Sequence, residues 1–360
     1  MSVRILRILT MLLTLACLPD GARAQGFAGL GSDAQGFQVP VRGTALSFPR
    51  DHGPHPDFRI EWWYVTANLQ AEDGTPLGIQ WTLFRSALAP ENAQGWASPQ
   101  IWIGHAAATT ASRHYVAERL GRGGVGQAGV TATPFEAWID DWQMKALPNE
   151  GRDLLDRVEL GAKAKAKAKD FGYQLTLAAK GPLVAQGDRG YSVKSASGQA
   201  SYYYSQPFYE VTGTVTLDGA PVKVTGKAWL DREWSSQPLA SDQTGWDWFS
   251  LHLPSGGKLM AFRLRDAGAG YTSGNWISET GETTPLLPGD VMLEPVRTAS
   301  VNGKDVPVEW RVRVPAKGLD ITTRALNNQA WMSTSMPYWE GPISFDGSAK
   351  GVGYLEMTGY

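Results

Sequence analysis

Two carboxylates in residues 229–234 (WLDREW) have the spacing for shared acid–base chemistry. Successive side chains of a β-strand point to opposite faces, so Trp229, Asp231 and Glu233 would share one face, with the two carboxyl groups about 7 Å apart. Such a pair can divide an acid role from a base role, because each group disfavours ionisation of the other. The tyrosines of residues 202–204 (YYY) could fix or relay a proton. A structural pair with a neighbouring arginine explains the same pattern.

Glu61 begins a second motif, residues 61–64 (EWWY). Along a strand, Glu61 and Trp63 share one face. If that face lines a barrel interior, burial would raise the pKa of Glu61 and leave a proton donor in an apolar cavity. The sequence favours the alternative, in which Glu61 bonds an arginine such as Arg85 and fixes the end of the barrel.

Residues 50–57 (RDHGPHPD) place His52 and His55 in a His-x-x-His spacing that could ligate a metal. Two prolines and a glycine make this segment a rigid loop, and no compact third and fourth ligand follows. We therefore predict a loop that orders the entry to the first strand, and no metal site.

The second half of the chain is rich in aromatic residues, including Trp246 and Trp248. Aromatic side chains line pockets for flat or long apolar ligands, although they also fill cores. The sequence has no G-x-S-x-G elbow, P-loop, dinucleotide fingerprint or CxxC pair, so it supports no serine-hydrolase, nucleotide or thiol mechanism and no cofactor is expected. The formal net charge of −2 argues against nucleic acid as a partner.

The elements that carry these residues are predicted to be short strands. The 15 Trp, 12 Tyr and 11 Phe beside 41 Gly are typical of a β-rich protein. Residues 73–74 and 218–219, both Asp-Gly, each lie between two alternating runs, which is a strong hairpin signal. Residues 306–314 (VPVEWRVRV) alternate with their apolar face on even numbers, and the nearest candidate for a helix is 111–120. The pattern predicts an all-β sandwich or barrel.

The low-complexity stretch 162–169 (AKAKAKAK) would place its lysines on one face of a strand and its alanines on the other. Such lysines are typical of an edge strand that discourages pairing. A basic patch for anionic lipid is the less favoured alternative.

A weak internal repeat divides the chain. Residues 61–63 (EWW) lead through a turn to 84–85 (FR), and residues 247–249 (DWF) lead likewise to 262–263 (FR). An acidic residue, an aromatic pair, a hairpin and Phe-Arg thus occur twice, which suggests two related β-domains.

Residues 1–24 have the pattern of a secretory signal. Arg4 and Arg7 precede an apolar run at 8–18, and an A-x-A site follows at 22–24. The run is too short to span a bilayer as a helix. We expect cleavage after residue 24 and a periplasmic or secreted soluble protein.

Cys17 offers an alternative as a lipid-anchored cysteine, which is less favoured because Thr14 occupies a position that usually carries Leu. Removal of the signal segment would leave a chain without cysteine, so disulfides and thiol chemistry play no part. Ser, Gly and Ala cluster at 191–199, which predicts an N-terminal β-domain at 45–195 and a C-terminal β-domain at 200–360.

Residues 48–64 (FPRDHGPHPDFRIEWWY) resemble the opening signature of the AttH-like family, which includes predicted secreted hydrolases and carotenoid 1,2-hydratases. Similar motifs follow in order along the chain: 114–123 (HYVAERLGRG), 134–142 (PFEAWIDDW), 201–207 (SYYYSQP), 229–239 (WLDREWSSQPL), 245–249 (GWDWF) and 353–360 (GYLEMTGY). The resemblance implies two tandem lipocalin-like antiparallel β-barrel domains. Some members are encoded beside ABC-transporter permeases and are regarded as exported components of those systems.

The resemblance also implies roles for individual residues. In the carotenoid hydratases an aspartate is thought to protonate a terminal alkene, after which water adds to the tertiary cation. Asp231 matches that acid, and Trp229 matches an aromatic neighbour. Tyr202 and Tyr204 match the positions of a His and a Trp, and a tyrosine with a pKa of about 10 is a poor base at neutral pH.

The sequence therefore favours an exported lipocalin-like protein that binds an apolar or amphipathic ligand, such as a lipid or isoprenoid. It would serve an ABC transport system and be peripheral to the membrane at most. The alternative is an acid-catalysed hydratase or hydrolase with Asp231 as proton donor, and an envelope assembly factor is a third hypothesis. The candidate catalytic residues are Asp231, Tyr202 and Glu233, and the candidate ligand contacts are Trp229, Tyr204, Trp246, Trp248, Glu61 and His55.

Overall fold

The structure, a computed structural model, describes residues 30, 34–91, 93–149, 153–165 and 170–360. It consists almost wholly of antiparallel strands, with no α-helix in these ranges. Short 3-10 helices lie at Arg50–His52, Gly95–Ala97, Leu154–Asp156 and Pro315–Lys317. The predicted signal segment, with Cys17, lies outside the described residues.

The strands are, in chain order, β1 (Ile60–Ala71), β2 (Pro76–Ala87), β3 (Gln100–Thr110), β4 (His114–Arg122), β5 (Ala128–Ala132), β6 (Phe135–Ile139), β7 (Trp142–Ala146), β8 (Arg157–Ala164), β9 (Phe171–Ala179), β10 (Val184–Ala185), β11 (Tyr191–Val193), β12 (Ala200–Leu217), β13 (Ala220–Ser235), β14 (Gly245–His252), β15 (Lys258–Arg265), β16 (Tyr271–Ile277), β17 (Thr283–Leu286), β18 (Met292–Val301), β19 (Lys304–Val314), β20 (Leu319–Ala325), β21 (Trp331–Met332), β22 (Tyr338–Gly347) and β23 (Gly351–Thr358). None of the helices in the described ranges has the length and apolar character needed to cross a membrane.

The strands form two barrel-like sheets. The first has the order β4-β3-β2-β1-β13-β12-β9-β8-β7-β6-β5, with β10 and β11 paired to β12, and it nearly closes because β4 contacts β6. The second has the order β17-β16-β15-β14-β23-β22-β20-β19-β18, with β21 paired to β22. The predicted all-β fold of two tandem lipocalin-like domains is confirmed.

The two sheets divide later in the chain than the sequence predicts. Strands β12 and β13 belong to the first sheet, so the division falls at residues 236–244 rather than near 195–200. The reason is that β13 pairs with β1 along its length and thereby joins the first and last parts of that sheet. The Ser/Gly/Ala cluster used for the prediction forms only β11 and the turn before β12.

Local patterns predict most strands. Both Asp-Gly pairs form hairpin turns, β1–β2 and β12–β13, and all five even-numbered residues of 306–314 are fully buried. The helical candidate at 111–120 is wrong, because β4 pairs with β3 there.

The alternating Ala–Lys run begins in β8, and its residues 166–169 lie outside the described part. Ala162 is buried and Lys163 is exposed, as the alternation predicts. The pairs of β8 with β7 end at Gly161, so residues 162–164 of the run pair only with β9, as at an edge, whereas the earlier part of β8 is paired on both sides.

Apolar side chains form a core inside each sheet and a third cluster between the two sheets. On β1, Trp63 and Val65 belong to the first core, whereas Tyr64 belongs to the cluster between the sheets. Gly78 permits the close approach of the sheets, since a Cβ there would lie 2.7 Å from Cγ of Pro342. The central strands of the first sheet are therefore buried on both faces.

The internal repeat corresponds to a buried ion pair in each sheet. Glu61 lies opposite Arg85 on the β1–β2 hairpin and is bonded to it, and Arg232 from β13 bonds the other carboxylate oxygen. Asp247 lies opposite Arg263 on the β14–β15 hairpin, and its carboxylate is 2.9 Å from the guanidinium. The prediction that Glu61 pairs with Arg85 is confirmed.

We predict that Glu61→Gln lowers the free energy of unfolding by about 3–5 kcal/mol, because it leaves two buried guanidinium groups without their shared anion. Urea unfolding at neutral pH measures the change. Asp320→Asn, which breaks the exposed pair with Arg311, is the control and should cause little loss. Equal losses in the two variants would contradict a special role for the buried pair.

Candidate functional site

A cavity of about 460 Å³ lies between the two sheets. Strands β1, β2, β3, β12 and β13 of the first sheet form one wall, and β14, β15, β22 and β23 of the second form the other. Its main lining residues are Ile60, Trp62, Tyr64, Phe84, Ile103, His105, Lys194, Tyr203, Asp231, Glu233, Leu239, Trp246, Trp248, Phe262, Leu264, Tyr338 and Glu356. The walls are mostly apolar and carry a few polar groups, as expected of a small-molecule site.

Asp231 lies in the cavity wall with both carboxyl oxygens bonded. Tyr203 donates its hydroxyl to Oδ2 at 2.6 Å, and the Trp229 indole donates to Oδ1 at 2.6 Å. The Ser205 hydroxyl also donates to Oδ1. Burial raises the pKa of Asp231 to about 7, although these three hydrogen bonds oppose the shift. A carboxyl group in this state can donate a proton near neutral pH.

Glu233 shares the cavity wall with Asp231, as the alternation of β13 predicts. Its carboxylate is 2.8 Å from Nζ of Lys194. The Lys194 ammonium also lies over the rings of Tyr203 and Phe262, at 4.8 and 4.5 Å from their centroids. The pair places two opposite charges in the cavity wall, and the charge of Glu233 contributes to the raised pKa of Asp231.

Tyr202 and Tyr204, predicted to flank Asp231, point to the opposite face of β12. The Tyr202 hydroxyl bonds the backbone of Val41, and the Tyr204 hydroxyl lies 2.7 Å from Nδ1 of His52. The prediction is wrong by one residue in register, since Tyr202 and Tyr204 lie opposite Trp234 and Arg232 rather than Asp231.

Tyr203 and Ser205 are the polar neighbours of Asp231: the sequence analysis named Tyr203 only as part of the YYY run and did not name Ser205 at all. Ser205 lies directly opposite Asp231, and Tyr203 lies opposite Glu233. Directly opposed residues of antiparallel strands share a face. Which alternate residues of YYYS share a face with Asp231 was the available signal. It can be used only when the pairing register of the two strands is known.

The three predicted tryptophans take different positions in the site. Trp248 lines the cavity and donates its indole N–H to the Tyr203 hydroxyl at 3.2 Å. Trp246 lines the cavity and donates to Glu356. Trp229 is fully buried and contacts Asp231 through its indole N–H.

Glu356, within the terminal motif, is a second acidic group that the sequence analysis did not single out. It lies in the wall of the second sheet. Burial raises its pKa to about 7, and the charges of Asp231 and Glu233 contribute to the shift. Two carboxyl groups from different sheets are therefore coupled across one cavity.

Glu61 and His55, predicted to contact a ligand, lie in the buried ion network rather than among the cavity residues. Burial alone would raise the pKa of Glu61, but Arg85 and Arg232 hold it well below its usual value. The alternative of Glu61 as a buried proton donor is wrong for this reason. The His55 ring stacks on Trp234 at a centroid distance of 4.0 Å.

The His-x-x-His segment orders the approach to β1. The His52 ring bonds Tyr204 through Nδ1 and Asp153 through Nε2, at 3.0 Å for the second contact. His55 bonds Glu61 and lies 3.4 Å from Asp51. Within the described ranges, no group of three or more His, Cys, Asp and Glu residues is arranged to hold a metal ion.

The fold and the cavity define a tandem β-barrel protein with a cavity between the barrels, and Asp231, Glu233 and Glu356 lie in the walls of that cavity. The chain belongs to the AttH-like family, whose model matches residues 39–360. A crystal structure of an AttH protein from Nitrosomonas europaea is 34% identical, with a TM-score of 0.77, and the match covers 90% of this chain and 100% of that one.

Kievitone hydratase from Nectria haematococca shares the fold. Its crystal structure has a TM-score of 0.67 at 15% identity, over 89% of this chain and 95% of that one. No curated protein matches the chain. The resemblance to the AttH-like family is thus confirmed, and the hydratase is a structural neighbour.

We predict that Asp231→Asn changes how stability depends on pH. A carboxyl group whose pKa is raised on folding stabilises the protein below its unfolded value of about 4, and this contribution is lost as pH rises towards 7. The variant lacks this contribution, so its stability relative to wild type should rise between about pH 5 and about pH 8. Urea unfolding at the two pH values measures the difference. An identical difference at both would show that Asp231 titrates below this range.

Proposed function

We propose that the protein binds an apolar or amphipathic small molecule in the cavity between its sheets and adds water across a carbon–carbon double bond of that molecule. The observation that carries the proposal is the carboxyl group of Asp231, buried in an apolar wall with its pKa raised to about 7.

Protonation of an alkene needs an acid that holds its proton at working pH and can part with it inside an apolar site. Asp231 meets the first requirement through burial. Tyr203, Ser205 and Trp229 meet the second, because all three donate hydrogen bonds that stabilise the carboxylate left after transfer. The aromatic faces of Trp248 and Phe262, in the same cavity, suit the carbocation that would follow.

The shape and charge of the cavity favour an amphipathic ligand. Its volume of about 460 Å³ lies in the range that holds a drug-sized molecule. Most walls are apolar, while Lys194 and Glu233 supply charge at one place. An isoprenoid with a polar end fits this arrangement, in agreement with the substrates that the family resemblance implies. Kievitone, the compound in the name of the structural neighbour, is a second candidate.

The proposed setting is the periplasm or the cell exterior, where the protein would serve an ABC transport system. The support is the signal-like sequence of residues 1–24 and the family resemblance. Mass measurement of the protein from its own cells should give a chain that begins at Gln25. A full-length cytoplasmic chain would contradict export.

We predict that Asp231→Asn lowers the hydration rate by about 10²-fold or more, the usual contribution of a general acid, while ligand retention persists. Native mass spectrometry measures ligand retention. Chromatography measures conversion of geraniol and of kievitone to their hydrated products. Asp320→Asn, at an exposed side chain of β20 in the second sheet, is the matched control and should keep wild-type rates. Equal turnover in Asp231→Asn and wild type would contradict the role of Asp231. Ligand retention with no turnover by wild type would contradict the catalytic half of the proposal.

A further inference from the structure

The cavity wall carries a second polar constellation, formed by Tyr338, His105 and Glu118. Tyr338 lies on β22 of the second sheet, whereas His105 and Glu118 lie directly opposite each other on β3 and β4 of the first. The Tyr338 hydroxyl is 2.9 Å from Nδ1 of His105, and Nε2 of His105 is 3.0 Å from Oε1 of Glu118. Tyr338 and His105 line the cavity, and the side chain of Glu118 is 22% exposed. The three groups therefore connect the cavity to solvent.

The direction of the hydrogen bonds follows from the charges. Glu118 is an acceptor, since its hydrogen bonds with His105 and Ser335 lower its pKa to about 2. Nε2 of His105 must then carry a proton. Burial lowers the pKa of His105 and keeps the ring neutral at pH 7, so Nδ1 is unprotonated and accepts from the Tyr338 hydroxyl.

The surroundings of Tyr338 favour this direction. Gln80 approaches the Tyr338 hydroxyl as a donor at 3.4 Å. Glu340, two residues along β22, also faces Tyr338, and burial with the charge of Glu356 raises its pKa well above the usual value. The raised pKa means that Glu340 holds its own proton more tightly than an ordinary glutamate, which makes it a poor acceptor for the Tyr338 proton. His105 is the basic group available to Tyr338.

We infer that Tyr338 and His105, backed by Glu118, together form the base that takes the proton of the captured water in the proposed hydration, an assignment that rests on the proposed function. Asp231 gives its proton to one alkene carbon. The oxygen of water then bonds the cationic carbon, and its proton passes to the Tyr338 oxygen as the Tyr338 proton moves to Nδ1 of His105. Glu118 stabilises the imidazolium through Nε2–H. His105 afterwards loses its proton to solvent, and Asp231 regains one.

The arrangement divides the reaction between the sheets. Asp231 belongs to the first sheet and Tyr338 to the second, while the ligand would lie between them. Tyr338 is the group of this unit that would contact the water, His105 accepts the relayed proton, and Glu118 is a positioning residue for His105. The substrate class is an alkene whose protonated form survives long enough for water to be delivered, such as a trisubstituted isoprenoid alkene.

The test uses geraniol in D₂O enriched in ¹⁸O, with the full mature chain, and mass spectrometry of both recovered alkene and product. Deuterium in the recovered alkene reports protonation by Asp231, because the cation can return a proton to the carboxylate. ¹⁸O in the hydrated product reports capture of water by the cation. Tyr338→Phe should lower ¹⁸O incorporation by about 10²-fold and leave deuterium exchange within about twofold of wild type.

Tyr209→Phe is the matched control, because Tyr209 is equally buried but donates to the Leu155 carbonyl in the first barrel. It should leave both labels unchanged. Equal ¹⁸O incorporation in Tyr338→Phe and wild type, with deuterium exchange intact, would overturn the role of Tyr338 alone. Absence of both labels in wild type would overturn the proposed function, and the base assignment with it.

A second readout separates relay from simple packing. In ¹⁵N NMR spectra of the histidines, assigned with His105→Gln, wild-type His105 should be the Nε2–H tautomer. Tyr338→Phe should raise the pKa of His105, because the variant loses the hydrogen-bond donor to Nδ1 that favours the neutral ring. Glu118→Gln should lower the pKa of His105, because the charge and hydrogen bond of Glu118 favour the protonated ring. An Nδ1–H tautomer in wild type, or no shift in either variant, would overturn the relay.

Discussion

The structure depends on strands of the first sheet that are buried on both faces. On β1, β12 and β13, one set of side chains closes the core of the first barrel, and the alternate set faces the second sheet. Where these strands are buried on both faces, a polar side chain has no access to water and needs a partner within the protein. Inside the first barrel, Glu61 and Arg232 satisfy each other. On the face between the sheets, Asp231 is held by Tyr203, Ser205 and Trp229.

The contrast between two buried acids of adjacent strands explains why only one suits proton donation. Glu61 and Asp231 are both withdrawn from water, which raises the pKa of either group. Two guanidinium groups reverse the effect at Glu61. Asp231 has neutral donors only, and the nearby charge of Glu233 acts in the same direction as burial. Glu61 is thus a structural anion because its partners on one face of the two strands are arginines. Asp231 is an acid because its partners on the other face are neutral.

The sequence predicts the fold class and much of the site. Alternation places β19 correctly, Asp-Gly pairs place two hairpins, and the spacing of WLDREW puts Asp231 and Glu233 on one face. Pairing register is less accessible, because it depends on contacts between distant segments. The choice of Tyr202 and Tyr204 as candidates, where the structure places Tyr203 and Ser205 beside Asp231, is such a register error. The Tyr338–His105–Glu118 group joins strands more than 200 residues apart, so no local pattern indicates it.

The proposed chemistry requires that Asp231 keeps its proton near neutral pH. The direct measurement is the titration of its carboxyl carbon by NMR in protein labelled with ¹³C at the aspartate side chains, with Asp231→Asn used for assignment. The proposed role of Asp231 requires a midpoint near pH 7. A midpoint near 4, the ordinary value for aspartate, would contradict it.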